Sequence, residues 1–336
     1  MTRRALVTGV GGQDGSLLAE LLVGEGYEVL GVVRRGSTDY PNLAAVRDRV
    51  QLIGCDLLDG RALEDTLREV RPHELYNLAS VSFVPASWDE PVLTAEFAAV
   101  GVTTVLEAIR RVDPEIRFYQ ASSSEIFGDP REVPQTERTP LEPVTPYGVA
   151  KAYAHFIVHS YRRRYDLHAS SGILYNHESP RRPLDFLPRK VSHAAARIAE
   201  GLQGELWLGD LDARRDWGYA GDYVRAMWLM LQQDEPGDYV IASGETHSVE
   251  ELVARAFDCV GLDWREYVQI DQSLRRGKAQ LRDLVGDPSK AREQLGWEPE
   301  VDFEALVRLL VDADLERVRG EARGTRPRDR EPLPPS

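Results

Sequence analysis

Three features of the sequence predict an α/β fold, with a parallel sheet wound on both faces and a smaller C-terminal α/β lobe. Short apolar runs alternate with amphipathic segments through residues 1–175. A glycine-rich turn, Gly9-Val10-Gly11-Gly12-Gln13-Asp14-Gly15, closes the first apolar run and opens the first amphipathic segment. After Tyr175 the alternation stops, broken by Pro180, Pro183 and Pro188. Regular strand–helix alternation requires crossover connections, and these bury a parallel sheet on both faces. A glycine turn between a strand and a helix makes that sheet Rossmann-like.

The elements follow in order. Residues 5–8 read as the first strand, and 16–24 as a helix with Leu17, Leu18, Leu21 and Leu22 on one face. Strands are expected at 28–33, 51–54, 74–79, 116–121 and 167–174, and helices at 99–111 and 148–164. Beyond them, 191–200, 249–260 and 303–319 read as helices and 206–208 as a strand. This gives a cofactor-binding domain over 1–175 and a substrate-binding lobe over 176–318, from which some segments return to the first domain. The charged, proline-rich end, 319–336, is expected to be disordered.

Composition excludes several functions. The net charge of −14 argues against nucleic-acid binding, which rests on clustered positive charge. Two cysteines, Cys55 and Cys259, form neither a disulfide framework nor a metal spacing, so a cytoplasmic setting is expected. No secretory signal is recognised after the N-terminal arginine pair, and no apolar run is expected to span a bilayer. The histidines, His177 among them, lack ligand spacing, so no metal is expected.

The chemistry sits in a few motifs. Gly9, Gly12 and Gly15, with Gln13 and Asp14, form a turn through which a backbone approaches a pyrophosphate at a helix N-terminus. Arg34 and Arg35 end the second strand, where an acidic residue would indicate NAD; two arginines suit the 2′-phosphate of NADP. Asp56 and Leu57 end the third strand, where such folds cover the adenine, although Asp56 equally suits a loop cap.

Tyr147 and Lys151 stand one helical turn apart and share a face. A lysine ammonium lowers the pKa of a nearby phenol and lets it accept a hydroxyl proton. Ser123-Ser124-Glu125 closes the fifth strand and adds a carboxylate, a second acid/base. Two proton-transfer groups imply more than simple oxidation. Asn176, Arg182, Lys190 and Arg215 are a basic and polar set suited to a diphosphate, whereas Arg181 and Arg189 read as surface charges. Trp217, Tyr219, Tyr223 and Trp228 read as core.

Longer runs carry a resemblance. They are Gly12-Gln13-Asp14-Gly15, Val32-Val33-Arg34-Arg35, Tyr76-Asn77-Leu78-Ala79, residues 118–125, residues 172–182 and Arg215-Asp216-Trp217-Gly218-Tyr219. With them the chain resembles the extended short-chain dehydrogenases/reductases, and within those the GDP-mannose 4,6-dehydratase family, over residues 3–318. The resemblance implies Ser123, Glu125, Tyr147 and Lys151 as catalytic residues. It implies cofactor contacts at the glycine turn, Arg34, Arg35, Asp56, Leu57, Leu78 and Ala79. Substrate contacts are implied at Ser82, Asn176, Arg182, Lys190, Arg215 and Arg276. The chain departs from the pattern at Ser80-Val81-Ser82 and at 275–282, where Arg275, Arg276, Lys278 and Arg282 replace a segment with carboxylates.

The function expected is therefore an NADP-dependent nucleotide-sugar 4,6-dehydratase. GDP-mannose is the substrate expected, and the protein is expected to form a homo-oligomer, dimer or tetramer. The alternatives are a dehydratase for another nucleotide-sugar, a nucleotide-sugar epimerase and a non-catalytic binding homologue.

Overall fold

The computed structural model describes residues 2–34, 36, 39–80, 82–271 and 283–322. The chain forms two compact units, each assembled from separate segments.

The first unit comprises Met1–His177, Arg215–Thr246 and Ala279–Asp302. Its centre is a seven-stranded parallel sheet made of β1 (Arg4–Thr8), β2 (Glu28–Val33), β3 (Val50–Gly54), β4 (Glu74–Asn77), β5 (Arg117–Ala121), β6 (Ala169–Leu174) and β7 (Asp238–Ile241). The strand order is β7-β6-β5-β4-β1-β2-β3, so the winding reverses beside β1. Ligands of open α/β sheets bind at such a reversal, outside the carboxyl ends of the strands. The strands carry continuous apolar runs such as Ala5-Leu6-Val7 because both faces are covered. One face packs on Leu18 and Leu22 of the helix Gln13–Gly24 and on Met227 and Met230 of the helix Ala220–Gln232. The other packs on Leu63 and Leu67, on Val105 and Ile109, and on Ala154 and Val158, from the helices Gly60–Val70, Gly101–Val112 and Pro146–Tyr165.

The elements the sequence reading gives agree in position to within a few residues, but it lacks the helices Gly60–Val70 and Ala220–Gln232 and one strand of the sheet. β7 is a sheet strand the sequence reading lacks; its Tyr239-Val240-Ile241 run is too short to show a period. The helical stretch Pro91–Val112 reaches a mean hydropathy of 1.6, so an apolar segment of membrane-spanning length is present after all. Half of its most apolar window is buried within the protein, as in a core helix.

The second unit comprises Glu178–Arg214, His247–Lys278 and Phe303–Ser336. The helices Leu187–Ala199, Val249–Asp258 and Phe303–Ala322 pack on one another. Strands Leu206–Leu208 and Val268–Ile270 pair in parallel beside them. A capping box starts the second of these helices, with Ser248 Oγ accepting from the Glu251 amide and Glu251 Oε2 accepting from the Ser248 amide. The last helix runs through 319–322, which the sequence reading assigns to the tail; residues 323–336 lie outside the described residues.

Candidate active site

The glycine turn between β1 and the helix Gln13–Gly24 is shaped by backbone contacts. Gly9 has a φ of +68°, and a Cβ there would meet the Ala79 backbone at 3.0 Å. A Cβ on Gly15 would lie 2.3 Å from the Gly9 carbonyl oxygen. The Gly12 amide donates to the Gly9 carbonyl at 3.0 Å, and Gly12, the residue that opens the helix, has no side chain to cap it. A glycine cradle leading into a helix N-terminus fits the diphosphate of a dinucleotide. The Gln13 side chain is buried; its Nε2 donates to Asp14 Oδ1 and to the His177 carbonyl at 2.9 and 3.1 Å. Asp14 Oδ2 pairs with His177 Nε2 at 2.9 Å.

Around this cradle, Leu78 and Ala79 donate their amides to Thr8 Oγ1, each at 3.1 Å. Arg34 is exposed at the end of β2, its guanidinium 5.7 Å from the Phe97 ring centroid. Arg35 lies outside the described residues. Asp56 acts as the loop cap, Oδ1 accepting from the Leu58 amide at 3.0 Å, while Leu57 packs against the sheet.

The helix Pro146–Tyr165 delivers the Tyr–Lys pair. Thr145 caps it by accepting from the Gly148 amide at 3.0 Å, and Pro146 occupies its first turn. Tyr147 is therefore in the first turn, 7% exposed, and Lys151 lies one turn on, 4% exposed. Lys151 Nζ donates to the Ala121 carbonyl at 2.9 Å and stands 5.6 Å from the Tyr147 ring centroid. Burial pushes the lysine amine down to about 8, partly opposed by the Asp14 carboxylate.

Ser123 and Glu125 follow β5 in a short 3₁₀ turn, Ser123 Oγ accepting from the Glu125 amide at 3.2 Å. This turn lies directly against the start of the Tyr–Lys helix. A Cβ on Gly148 would be 2.5 Å from the Glu125 carbonyl oxygen, so only glycine permits the approach. The structure thus brings Ser123, Glu125, Tyr147 and Lys151 together.

Sequence reasoning misses the polar chain beneath them. Thr8 Oγ1 donates to Asn77 Oδ1 at 2.8 Å, Asn77 Nδ2 to Gln120 Oε1 at 2.9 Å, and Gln120 Nε2 to the Ala121 carbonyl at 2.9 Å. That carbonyl also holds Lys151. Thr8, Asn77 and Gln120 are buried. A polar residue at the end of two strands, Thr8 and Asn77, and one before the end of a third, Gln120, was the signal available for them.

The remaining predicted residues are distributed between the two units. Ser82 is exposed, Asn176 begins a short strand after β6, and Arg215 precedes Asp216, all in the first unit. Asp216 is buried and accepts from the Ser243 amide and hydroxyl at 2.9 and 2.7 Å and from the Gly244 amide at 3.1 Å. Burial pushes its carboxyl up, against these hydrogen bonds. Arg182 and Lys190 belong to the second unit. Arg182 stacks over Phe186, 3.7 Å from the ring centroid, and Lys190 Nζ donates to the Trp207 carbonyl at 2.8 Å. Arg276, with the rest of 272–282, lies outside the described residues. Arg189 is a correction, since it is 1% exposed and paired with Asp314, not a surface charge. Trp217 and Tyr223 are buried in the core as expected.

A doubly wound sheet with this cradle at its reversal, and a buried Tyr-x-x-x-Lys pair beside it, defines an extended short-chain dehydrogenase/reductase. A family model described as GDP-mannose 4,6 dehydratase matches residues 6–310. The chain is 47% identical over 330 residues to GDP-mannose 4,6 dehydratase 2 of Arabidopsis thaliana, covering 94% of this chain and 88% of the relative. Among solved structures it is similar to a dTDP-glucose 4,6-dehydratase of Streptomyces venezuelae with NAD and TYD bound. The TM-score is 0.83 at 26% identity, over 95% of this chain and 98% of the other. It is also similar to the Thermus thermophilus UDP-glucose 4-epimerase in complex with NAD, with a TM-score of 0.81 at 29% identity, over 93% and 98% of the two chains. The chain belongs to the GDP-mannose 4,6-dehydratase family.

Proposed function

We propose that this enzyme is an NADP-dependent nucleotide-sugar 4,6-dehydratase acting on GDP-mannose to give a GDP-4-keto-6-deoxy sugar and water. The observation that carries the reading is the approach of the Ser123–Glu125 turn to the first turn of the Tyr147–Lys151 helix. That approach supports a site in which Tyr147 and Glu125 each transfer a proton. Oxidation alone needs one such group, and elimination needs the second.

Tyr147 takes the proton of the C4 hydroxyl, with the Lys151 charge beside its ring and Ser123 donating to the C4 oxygen. Once C4 is a ketone the C5 hydrogen is acidic, and Glu125 removes it. The C6 hydroxyl takes the proton held by Glu125 and departs as water, and the proton held by Tyr147 goes to C5. Gly9, Gly12 and Gly15 would hold the dinucleotide's diphosphate, and the nicotinamide would supply the acceptor for the C4 hydride and the donor for C6. Arg34 and Arg35 are assigned to the 2′-phosphate, which makes the cofactor NADP. Asn176, Arg182, Lys190, Arg215 and Arg276 are assigned to the nucleotide half of the substrate.

The homologous epimerases run the same oxidation without losing water, so product mass separates the two activities. Purified protein is incubated with GDP-mannose, and separately with UDP-glucose and dTDP-glucose. A product lighter by one water, formed from GDP-mannose in preference, is expected; a product of unchanged mass would establish an epimerase instead. Glu125→Gln should oxidise C4 and show reduced-nicotinamide absorbance without releasing dehydrated product. Replacing Arg34 and Arg35 by Ala should erase a preference for NADP over NAD of roughly tenfold, about 1.4 kcal/mol.

A homo-oligomer belongs to this reading. Val149, Tyr153 and Phe156, at one-turn spacings on the helix Pro146–Tyr165, and Val92 and Val100, eight residues apart on the stretch Pro91–Val112, are exposed apolar residues. Tyr153 Oη and Thr103 Oγ1, 3.1 Å apart, join the two helices at that face. Contiguous exposed apolar surface of this kind marks a protein contact. A cytoplasmic setting is retained from the cysteine usage.

A further inference from the structure

A cluster of charged side chains in the second unit surrounds the buried Asp314, on the helix Phe303–Ala322. This carboxylate is completely buried and both its oxygens are in use. Oδ2 accepts from the Arg189 guanidinium and from Ser192 Oγ, the latter at 2.6 Å. Oδ1 accepts from Arg317 Nη1 at 2.7 Å, and His193 Nδ1 lies 3.8 Å from it. Each arginine has a second hold. Arg189 Nε donates to the Arg182 carbonyl at 3.3 Å, and Arg317 Nη2 to the Pro180 carbonyl at 3.2 Å. One buried carboxylate thus fixes two guanidinium groups, and those grip the backbone on both sides of Arg181.

The side chain of Arg182 is itself held in place. Its guanidinium stacks over Phe186, and its Nε is 3.5 Å from Glu178 Oε2. Desolvating such a charge cluster is costly, and apolar side chains would join two helices as well or better. What apolar side chains cannot do is donate to carbonyls of the loop at 180 and 182.

We propose that Asp314 and Arg317 are positioning residues that preset Arg182 for the diphosphate of the substrate. This rests on the assignment of Arg182 to the nucleotide half. A guanidinium already fixed in orientation loses little freedom when it closes a bidentate contact on an anion.

The test uses the full-length protein saturated with NADP and measures dissociation constants for GDP and for guanosine, which lacks the diphosphate. Arg182→Ala is expected to weaken GDP roughly tenfold and to leave guanosine within about twofold. Arg317→Gln should give part of the same selective loss, about threefold, and Asp314→Asn more, with KM rising further than kcat falls. Either change added to Arg182→Ala should cost GDP nothing further. Arg317 is 30% exposed, so Arg317→Gln carries the test if Asp314→Asn does not fold. Equal weakening of GDP and guanosine by Arg317→Gln, or no effect where Arg182→Ala is selective, overturns the positioning role. If Arg182→Ala shows no selective loss, the assignment of Arg182 is wrong and the proposal falls with it.

Discussion

Lys151 carries its charge in a place that resists it. Buried against the Ala121 carbonyl, its amine titrates at about 8 instead of 10.5. The folded state therefore holds this proton less tightly than the unfolded chain. The cost to stability is complete below pH 8 and is relieved as pH rises from 8 to 10.5. Lys151→Met should raise stability at pH 7, by up to roughly 3 kcal/mol, while abolishing turnover; matched denaturant titrations and assays check both. In the unmodified enzyme kcat/KM should fall as pH rises through about 8, because the positive charge beside Tyr147 is lost. Lys151→Arg, if active, should move that alkaline limb upward; an unmoved limb would assign it to another group. The Tyr147–Lys151 pair was legible in the sequence because helical spacing is local. Arg189 was not, because its partner Asp314 lies on a helix more than a hundred residues away and nothing near position 189 announces it. Thr8, Asn77 and Gln120 escaped for a related reason, since their partners stand on neighbouring strands.

At the scale of elements, the site depends on how closely one helix approaches one turn. Helix start, cap and proline were readable at Thr145-Pro146, yet the need for glycine at 148 was not, because the atom it avoids belongs to Glu125. Gly148→Ala places a methyl 2.5 Å from a backbone oxygen, so the turn and the helix must separate. A displacement of this order should lower kcat roughly 100-fold with a smaller change in KM. Steady-state kinetics check this, with a melting curve to show that the fold persists. Gly24, whose added Cβ meets nothing within 4 Å, is the control: Gly24→Ala should leave kcat unchanged.

For the molecule as a whole, six of the seven sheet strands were legible as apolar runs between amphipathic segments. The seventh was hidden in the irregular half of the chain. The exposed apolar residues on the two helices joined at Tyr153 carry the prediction at this scale. Val149→Glu with Phe156→Glu should shift sedimentation toward monomer and leave the far-ultraviolet circular dichroism unchanged. Unaltered sedimentation would place any subunit contact elsewhere.

The segmentation of the first unit also bears on synthesis. β7 is formed by residues 238–241, and the buried Trp297 donates its indole N–H to the Asp222 carbonyl at 2.7 Å. A ribosome that has released residues 1–177 has therefore delivered a sheet without its edge strand and without the helix Ala220–Gln232 that covers one face. Until some 300 residues have emerged, the nascent chain exposes apolar surface and an unpaired β6 edge, the condition in which chains aggregate or recruit chaperones. A fragment ending at His177 should for that reason be insoluble when expressed alone, although it contains the glycine turn and Ser123, Glu125, Tyr147 and Lys151.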